Sequence, residues 1–270
     1  SSSSVNADEI SHFNALAATW WDPHGSSRAL HLMNPLRHDF INACRSSSQL
    51  SSSSTLSPED TTTTTNQQQQ PQSPEKLSYL DVGCGGGIFA ESAARLPSTQ
   101  SVTAIDAAPV IISVARAHAA KDPALSSDKL QYINANIETF SSTPEKFDVI
   151  SLFEVIEHVD NPAAFLDTCG SLVKPGGWLV LSTIARTWTS WFTTNLVAED
   201  ILGIVPKGTH DWNKYINEDE LRNHFFKSQK TGGWDIDSLK VMGVVYVPGL
   251  GWKEVTGSEK IGNYFFGIQK

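Results

Sequence analysis

From Leu77 onward, short apolar runs alternate with segments in which apolar residues recur at helical spacing. Alternation of this kind is typical of a parallel sheet with crossover helices. The strands predicted in this way are Leu77–Val82, Ser101–Ile105, Leu130–Ile133, Phe147–Leu152, Trp178–Ser182, Ile236–Val241 and Asn263–Ile268. The helices predicted among them are Ile88–Leu96, Pro109–Ala120, Pro162–Val173 and Asn217–Phe226. The pattern therefore predicts an α/β protein with a mostly parallel, seven-stranded sheet and with Tyr246 to Lys260 as a loop.

The N-terminal part has a different pattern. Helical spacing from Val5 to Trp21, and Asn34-Pro35 as the start of a second helix reaching about Cys44, predict an N-terminal helical cap over residues 1–45. Ser46 to Glu75 is almost entirely Ser, Thr, Gln and Pro, which predicts a disordered insertion because such a segment buries too little surface to offset its ordering entropy. A signalling role through its Ser-Pro sites is the alternative. Residues 76–270 then form the main domain.

Composition excludes several classes of function. The formal net charge of -9 and the pI of about 5.3 argue against a protein that binds nucleic acid. The three cysteines, Cys44, Cys84 and Cys169, form neither a disulfide framework nor a zinc pattern, which indicates a reducing compartment. No apolar run reaches the about 18 residues that span a bilayer. The chain begins without Met, and we expect a processed N-terminus.

The glycine-rich turn after the first strand carries the main chemical signal. Gly83, Gly85, Gly86 and Gly87 lie between that strand and a helix start, an arrangement that lets a ligand approach the backbone. A dinucleotide fingerprint requires a third glycine where Ile88 stands, which counts against NAD. The acid that would accept the ribose hydroxyls is present as Asp106. The pattern therefore favours a cofactor with a ribose and no phosphate, namely S-adenosylmethionine.

Four motifs taken in order, LDVGCGGG, TAID, FDVI with FEVIEHV, and LVKPGGWLVLST, resemble the class I S-adenosylmethionine-dependent methyltransferases. Two longer motifs, EISHFNALAATWWDPHGSSRALHLMNPLR and VPKGTHDWNKYI, resemble the ubiquinone biosynthesis O-methyltransferase family. The resemblance implies a Rossmann-like fold and methylation of a hydroxyl on a polyprenyl dihydroxybenzoate and on demethylubiquinol. It also implies a peripheral position on the matrix side of the mitochondrial inner membrane and membership of a multi-enzyme ubiquinone biosynthesis complex.

The same resemblance implies a set of cofactor contacts. The backbone at Gly83 and Gly85 would approach the methionine part, and Asp106 would bind the ribose. The remaining expected contacts are Asn136 and Ile137 beside the adenine, Phe153 lining the cofactor, and Arg37 of the NPLR motif paired with the cofactor carboxylate. A guanidinium suits a carboxylate because it can donate two parallel hydrogen bonds.

A possible metal site follows the fourth predicted strand. In a helical turn, Glu154 would share a face with Glu157 and His158, and this donor set suits Mg²⁺. A metal holding both catechol oxygens would lower the hydroxyl pKa. The resemblance, whose members are described as Mg²⁺-dependent, supports this assignment. The alternatives are an acid and a His without a metal, or His158 as the general base. His210 is a weaker candidate for that base.

The segment Ile184 to Val205 is apolar with aromatic residues at one end, and residues 184–212 form a predicted insertion. It would contact a membrane interface through Trp188, Trp191 and Phe192, or pack as a lid. Three alternative functions remain open from the sequence. The first is an NAD-linked dehydrogenase, and the second is a non-catalytic lipid-binding or scaffold subunit with a vestigial cofactor site. The third is a methyltransferase acting on another phenol.

Overall fold

The computed structural model describes residues 17–25, 27–53, 76–186 and 215–270. Its described strands form one sheet of eight, in the order β3-β2-β1-β4-β5-β8-β6-β7. The strands are β1 (Leu77–Val82), β2 (Thr99–Asp106), β3 (Leu130–Asn134), β4 (Phe147–Phe153), β5 (Val173–Ile184), β6 (Asp235–Val247), β7 (Gly251–Glu254) and β8 (Asn263–Gln269). Strands β1 to β5 pair in parallel, whereas β8, β6 and β7 are antiparallel.

The mostly parallel α/β sheet is confirmed, but the predicted number of strands is wrong. Strand β6 continues to Val247 and forms a hairpin with β7, inside the segment predicted as a loop. The glycines and charged residues of this segment hide the strand pattern. The hairpin packs through its aromatic side chains: Trp252 Nε1 donates to the Ala29 carbonyl oxygen at 2.9 Å, and the ring of Tyr246 lies edge-on to that of Trp252.

The described helices of four or more residues are α1 (Arg28–Ser53), α2 (Ile88–Ala94), α3 (Pro109–Ala119), α4 (Ile137–Phe140), α5 (Pro162–Ser171) and α6 (Glu218–Gly232). Three begin at caps that their sequences provide. The Asn136 side chain accepts the N–H of Thr139 ahead of α4, the Asn161 side chain accepts the N–H of Ala164 ahead of α5, and Asn217 forms a capping box with Glu220 ahead of α6. No described helix is both long and apolar enough to cross a bilayer.

Helix α1 is longer than its sequence predicts. Pro35 lies inside it and does not begin it, because the helix already starts at Arg28. A proline within a helix normally costs a hydrogen bond and crowds the preceding turn. Here a stripe at helical spacing on both sides of the proline is buried, comprising Met33, Arg37, Phe40, Ile41 and Cys44, and this packing outweighs the local preference. The helix also continues to Ser53, past the predicted start of the insertion at residue 46. Residues 54–75, and all but the last residues of the predicted helix Val5 to Trp21, lie outside the described residues.

Helices cover both faces of the sheet, as predicted. Successive residues of β1 point to opposite faces. Tyr79 belongs to a core shared with α1, α2 and α3, whereas Leu80 belongs to a core shared with α5 and α6. Both cores are built from buried apolar side chains, so the five parallel strands form a rigid central layer.

The two edges of this layer differ. At the amino-terminal edge, Asp148 Oδ2 accepts from Ser78 Oγ at 2.6 Å and from Lys174 Nζ at 2.9 Å, which ties β1, β4 and β5 together. The predicted turn Lys174–Gly177 is an irregularity within β5, where Gly176 has a φ of 77°. The carboxyl-terminal edge carries the glycine turn and the polar motifs, as is usual for a ligand site in such a sheet.

Candidate active site

The glycine turn is joined to the end of the neighbouring strand by backbone hydrogen bonds. Gly83 N and Cys84 N donate to the Ile105 carbonyl oxygen at 2.8 and 3.1 Å. Gly85 N donates to Asp106 Oδ2 at 2.9 Å, and Ala108 N donates to Asp106 Oδ1 at 2.8 Å. Asp106 therefore fixes the turn, and each carboxylate oxygen keeps a lone pair for a further donor such as a ribose hydroxyl. Burial raises the pKa of Asp106, while these two N–H groups oppose the rise.

Side chains lie so close to this turn that it has room for glycine alone. A Cβ at Gly83 would lie 2.5 Å from Cγ2 of Val155, and one at Gly85 would lie 2.3 Å from Cζ2 of Trp20. The two glycines also have φ values of 70° and 53°, which other residues rarely adopt. Glycine is therefore required at these positions both by the positive φ and by the close packing of neighbouring side chains.

Arg37 is buried beside the same edge of the sheet. Its side chain is 4% exposed, and its Cζ lies 4.9 Å from the centroid of the Phe153 ring. Burial lowers the pKa of Arg37, whereas the charges of Glu154 and Asp81 raise it. Its Nε has no hydrogen-bond partner among the described residues. An unpaired buried guanidinium donor costs on the order of 1–3 kcal/mol, so this position favours a bound acceptor.

Asp81 is the penultimate residue of β1, just before the turn. It is buried and accepts a hydrogen bond from Ser151 Oγ at 2.7 Å. Burial raises its pKa to about 7, although the hydrogen bond from Ser151 and the charge of Arg37 both oppose this. The site therefore contains a carboxyl group that titrates close to neutral pH.

The EVIEH segment follows β4 and is held by consecutive residues of β5. Glu154 has a φ of 57°, so it is the one described residue other than glycine with a positive φ. Ser182 Oγ donates to Glu154 Oε1 at 2.6 Å, and Thr183 Oγ1 donates to Glu157 Oε2 at 2.9 Å. Burial and the nearby Glu154 raise the pKa of Glu157. Held backbone strain of this kind is common at functional sites.

The three predicted metal ligands are not assembled into a metal site. Residues 156–158 form a 3-10 turn, and Glu154 precedes it with a left-handed backbone, so the predicted single helical face does not exist. Among the described residues, no group of three or more His, Cys, Asp and Glu side chains is arranged to hold a metal ion. Glu157 is 4% exposed and faces Thr183. The residues present therefore do not fit a three-ligand site.

Comparison with known proteins places this geometry in a family. A family profile described as "Methyltransferase domain" matches residues 60–229. The chain is 41% identical to the mitochondrial ubiquinone biosynthesis O-methyltransferase of Candida albicans over 99% of this chain and 86% of the relative. It is 43% identical to the protein of the same name from Schizosaccharomyces pombe, over 99% and 87%. The chain belongs to the ubiquinone biosynthesis O-methyltransferase family.

The fold of this family member is also found in solved methyltransferase structures. The plantazolicin methyltransferase in complex with a substrate analogue and S-adenosylhomocysteine (SAH) has a TM-score of 0.54 at 17% identity, covering 97% of each chain. At this identity the likeness establishes the fold alone, and it confirms the class I, Rossmann-like methyltransferase architecture that the motifs predict.

Within this ubiquinone biosynthesis O-methyltransferase fold, the predicted cofactor residues lie at the carboxyl-terminal edge of the sheet. Gly85 N donates a hydrogen bond to Asp106, and the Arg37 guanidinium lies over the Phe153 ring. Two other predicted residues have structural roles of their own: Asn136 caps α4 by accepting from Thr139 N at 2.9 Å, and the Ile137 side chain is buried in the core. Their contact with an adenine stays a prediction.

Three residues near the turn are not predicted from the sequence. Trp20 and Val155 pack against its glycines, and Trp21 Nε1 donates to the Gly86 carbonyl oxygen at 2.9 Å. The two tryptophans belong to the WWD motif, which supports the family resemblance without indicating a contact. His210, the weaker candidate for the base, lies outside the described residues.

Proposed function

We propose that this chain transfers the methyl group of S-adenosylmethionine to a hydroxyl of a polyprenyl dihydroxybenzoate and of demethylubiquinol. Membership of the family supports this substrate class. The single structural observation that carries the proposal is the buried, unpaired Nε of Arg37, which lies beside Phe153 and near Asp81. A carboxylate at this point would satisfy that donor, and the cofactor has one at its methionine end.

The remaining cofactor contacts follow from the same edge of the sheet. Asp106, already bonded to Gly85 N, has acceptor capacity left for the ribose hydroxyls. Phe153 supports the guanidinium of Arg37 through its ring face. These groups are held by buried elements, and such preorganisation lowers the entropy lost on binding.

S-adenosylmethionine supplies a methyl carbon on a positively charged sulfur. In the reaction, a phenolic oxygen attacks that carbon in line with the breaking C–S bond, and the phenolic proton leaves. The enzyme must hold the oxygen close to the methyl carbon and accept the proton. His158, half-buried at the end of the 3-10 turn, is the residue we propose as the base.

A divalent cation remains a proposal that rests on the resemblance alone. The three predicted ligands do not form a metal site among the described residues, so the base and the cofactor contacts proposed above do not involve a metal. Glu154 and His158 are the two members of the set that are not fully buried. Mg²⁺ binding would require a rearrangement of this turn or a ligand from the substrate.

The cellular setting is proposed on the same grounds. The fungal relatives are named as mitochondrial, which supports a mitochondrial location for this chain. A peripheral position on the matrix side of the inner membrane, membership of a multi-enzyme complex, and the domain division at residues 45, 75 and 184–212 go further than these names and are our proposals. The segment 187–205 lies outside the described residues, so its role as membrane contact or lid is open to experiment.

Two assays test the proposal. Calorimetry with SAH and NADH should show binding of SAH alone; NADH binding would favour the dehydrogenase, and binding of neither would favour the scaffold. A methyl-transfer assay on a short-chain dihydroxybenzoate should then show product, and another phenol accepted in preference to it would redirect the substrate assignment. The same assay in EDTA, with Mg²⁺ restored afterwards, tests the metal. Undiminished activity in EDTA would remove it.

A further inference from the structure

The indole of Trp20 lies directly on the glycine turn. A Cβ on Gly85 would be 2.3 Å from its Cζ2, and a Cβ on Gly86 would be 2.2 Å from its Cδ1. The ring therefore contacts two consecutive glycines from the side on which any side chain would project. Trp20 is 6% exposed, so this contact is enclosed.

The indole carries a buried donor with no acceptor. Nε1 of Trp20 has no hydrogen-bond partner among the described residues. Buried indole N–H groups usually find a partner, and leaving one without it costs on the order of 1–3 kcal/mol. The hydroxyl of Tyr132 and Nε of Arg37 also have no hydrogen-bond partner among the described residues. The Tyr132 hydroxyl lies 2.0 Å from the position that a Cβ on Gly87 would take, and Arg37 lies near the charge of Asp81. Three unpaired buried donors at this edge of the sheet point to a ligand that provides acceptors there.

Trp20 is fixed in this position by its neighbours. The carbonyl oxygen of Trp20 lies 3.0 Å from Nε2 of His31, and Trp21 Nε1 donates to the Gly86 carbonyl oxygen at 2.9 Å. The Trp21 ring stacks on His118, with centroids 3.5 Å apart and planes within 6°. Nδ1 of His118 in turn lies 2.7 Å from an oxygen of Glu91, a fully buried carboxyl group. Helices α1, α2 and α3 thus all contribute to holding the two tryptophans.

We propose that Trp20 is a cofactor-binding residue: its ring forms a wall of the site on the glycine turn, and its Nε1 donates a hydrogen bond to an oxygen of S-adenosylmethionine. Trp21 is a positioning residue, because it acts on the turn and on His118 and holds Trp20 in place. This proposal rests on the proposed function. The acceptor is a hydroxyl or carboxylate oxygen, since these are the strong acceptors that a nucleoside–amino acid cofactor offers.

The test compares two tryptophan-to-phenylalanine variants. Trp20→Phe keeps a ring on the turn and removes the donor. Trp234→Phe is the matched control, because Trp234 is also buried and also packs on glycines, Gly170 and Gly232, but on the side of the sheet covered by α5 and α6. Calorimetry measures the Kd for SAH, and the melting temperature without ligand reports folding. We expect Trp20→Phe to raise the Kd at least about fivefold, and Trp234→Phe to leave it unchanged.

The positioning role has its own readout. Trp21→Phe keeps a ring for the stack on His118 but removes the bond to Gly86. It should raise the KM for S-adenosylmethionine while the KM for the phenolic substrate stays as in the wild type. A rise in both constants, or in neither, contradicts the positioning role.

Each outcome has a distinct meaning. If the wild-type chain does not bind SAH, the proposed function itself fails. If the wild type binds SAH and Trp20→Phe binds it within about twofold of the wild type, the proposal for Trp20 fails alone. Tighter binding by Trp20→Ala than by the wild type would show that the ring blocks the site, and would also overturn the proposal.

Discussion

At the scale of single residues, the site concentrates ionisable groups that solvent would normally keep apart. Arg37 and Asp81 are both buried at the carboxyl-terminal edge of the sheet, and each shifts the other's pKa towards its charged form. Burial acts in the opposite direction on both groups. The balance leaves a buried cation with an unused donor and a carboxyl group poised to titrate near neutrality, and both are open to direct measurement.

Arg37→Met should weaken SAH binding by about 10- to 100-fold, because a charge-assisted hydrogen bond contributes about 1.5–3 kcal/mol. The methionine keeps an apolar side chain over the Phe153 ring, so packing is largely retained. Calorimetry provides the measurement. Arg222→Met, at an exposed position of α6, is the control and should bind SAH as the wild type does. An unchanged Kd in Arg37→Met would show that Arg37 has a structural role only.

Asp81→Asn should change the pH dependence of stability. Burial raises the folded pKa of Asp81 from 3.8 to about 7, so between these values the folded protein holds a proton that the unfolded chain has released. The wild type therefore loses stability through this group as pH rises across that window. The asparagine variant lacks this loss. Its melting temperature relative to the wild type should increase from pH 5 to pH 8, and a constant difference would contradict the assignment.

The sequence predicts some of the site residues and misses others, and the difference has a physical reason. Gly83, Gly85 and Asp106 are linked to strand ends, and strand ends of a parallel sheet meet at one edge, so their proximity follows from topology. Trp20 lies more than 60 positions before the glycines that it covers, and no periodicity encodes such a contact. The predicted metal ligands do not assemble because the prediction assumes helical backbone at Glu154, where the chain adopts a positive φ.

At the scale of elements, the glycine turn is shaped by what packs on it as much as by its own backbone. Gly85 has a φ of 53° and is covered by Trp20, whereas Gly176 within β5 has a φ of 77°, and a Cβ added there would meet no atom within 4 Å. Substitution at Gly176 would therefore add backbone strain alone, whereas substitution at Gly85 would add both backbone strain and a steric clash. Several helix starts follow local signals: α5 and α6 begin after capping residues, and α3 begins at Pro109 as predicted. Helix α1 instead continues through Pro35, because its buried stripe runs on both sides of the proline.

Gly85→Ala should abolish or severely weaken SAH binding, because the new methyl group would displace the Trp20 ring. Gly176→Ala incurs comparable backbone strain, of the order of 1–3 kcal/mol, at the opposite edge of the sheet and should lower the melting temperature without changing the Kd. Calorimetry and thermal unfolding of both variants make the comparison. Equal loss of binding in the two would point to general destabilisation.

Asp148→Asn tests whether the amino-terminal edge of the sheet contributes to stability alone. Burial opposes ionisation of this carboxyl group, yet hydrogen bonds from Ser78 and the charge of Lys174 hold its pKa below the ordinary value. The variant loses the ion pair that joins β4 to β5. Because both partners are partly exposed and solvent screens the pair, we expect it to lose about 0.5–1 kcal/mol of unfolding free energy. Its Kd for SAH should equal that of the wild type. A change in Kd would mean that the two edges of the sheet are coupled.

At the scale of the whole molecule, the predicted cofactor residues lie at one edge of the sheet, and the ion pair of Asp148 with Lys174 lies at the other. The turn after β1, Asp106 at the end of β2, Asn136 after β3 and Glu154 after β4 all lie at one edge. The class of fold and this edge could be predicted from the alternation of elements. Strand β7 could not be predicted, because a four-residue edge strand with two charged residues has no distinctive pattern and is defined by its partner β6.

The net charge of -9 bears on the proposed membrane contact. An acidic protein gains nothing from anionic lipid on average, so contact would have to come from apolar side chains. We expect the full chain to float with liposomes and the triple variant Trp188→Ser, Trp191→Ser, Phe192→Ser to remain unbound while still binding SAH. Full liposome binding by that variant would rule out membrane contact through these residues.

The placement of the first strand has a consequence for evolution and for engineering. The long Ser/Thr/Gln-rich connection re-enters the fold at Leu77, whose N–H donates to the Ser98 carbonyl oxygen at the end of β1 that is remote from Gly83. An insertion or deletion in this connection therefore lies at the amino-terminal edge of the sheet. The glycine turn of the cofactor site lies at the other end of β1. We therefore expect changes in the length of this connection to leave the cofactor site unaffected. For the same reason, it is the position at which an affinity tag or a fluorescent protein should be inserted.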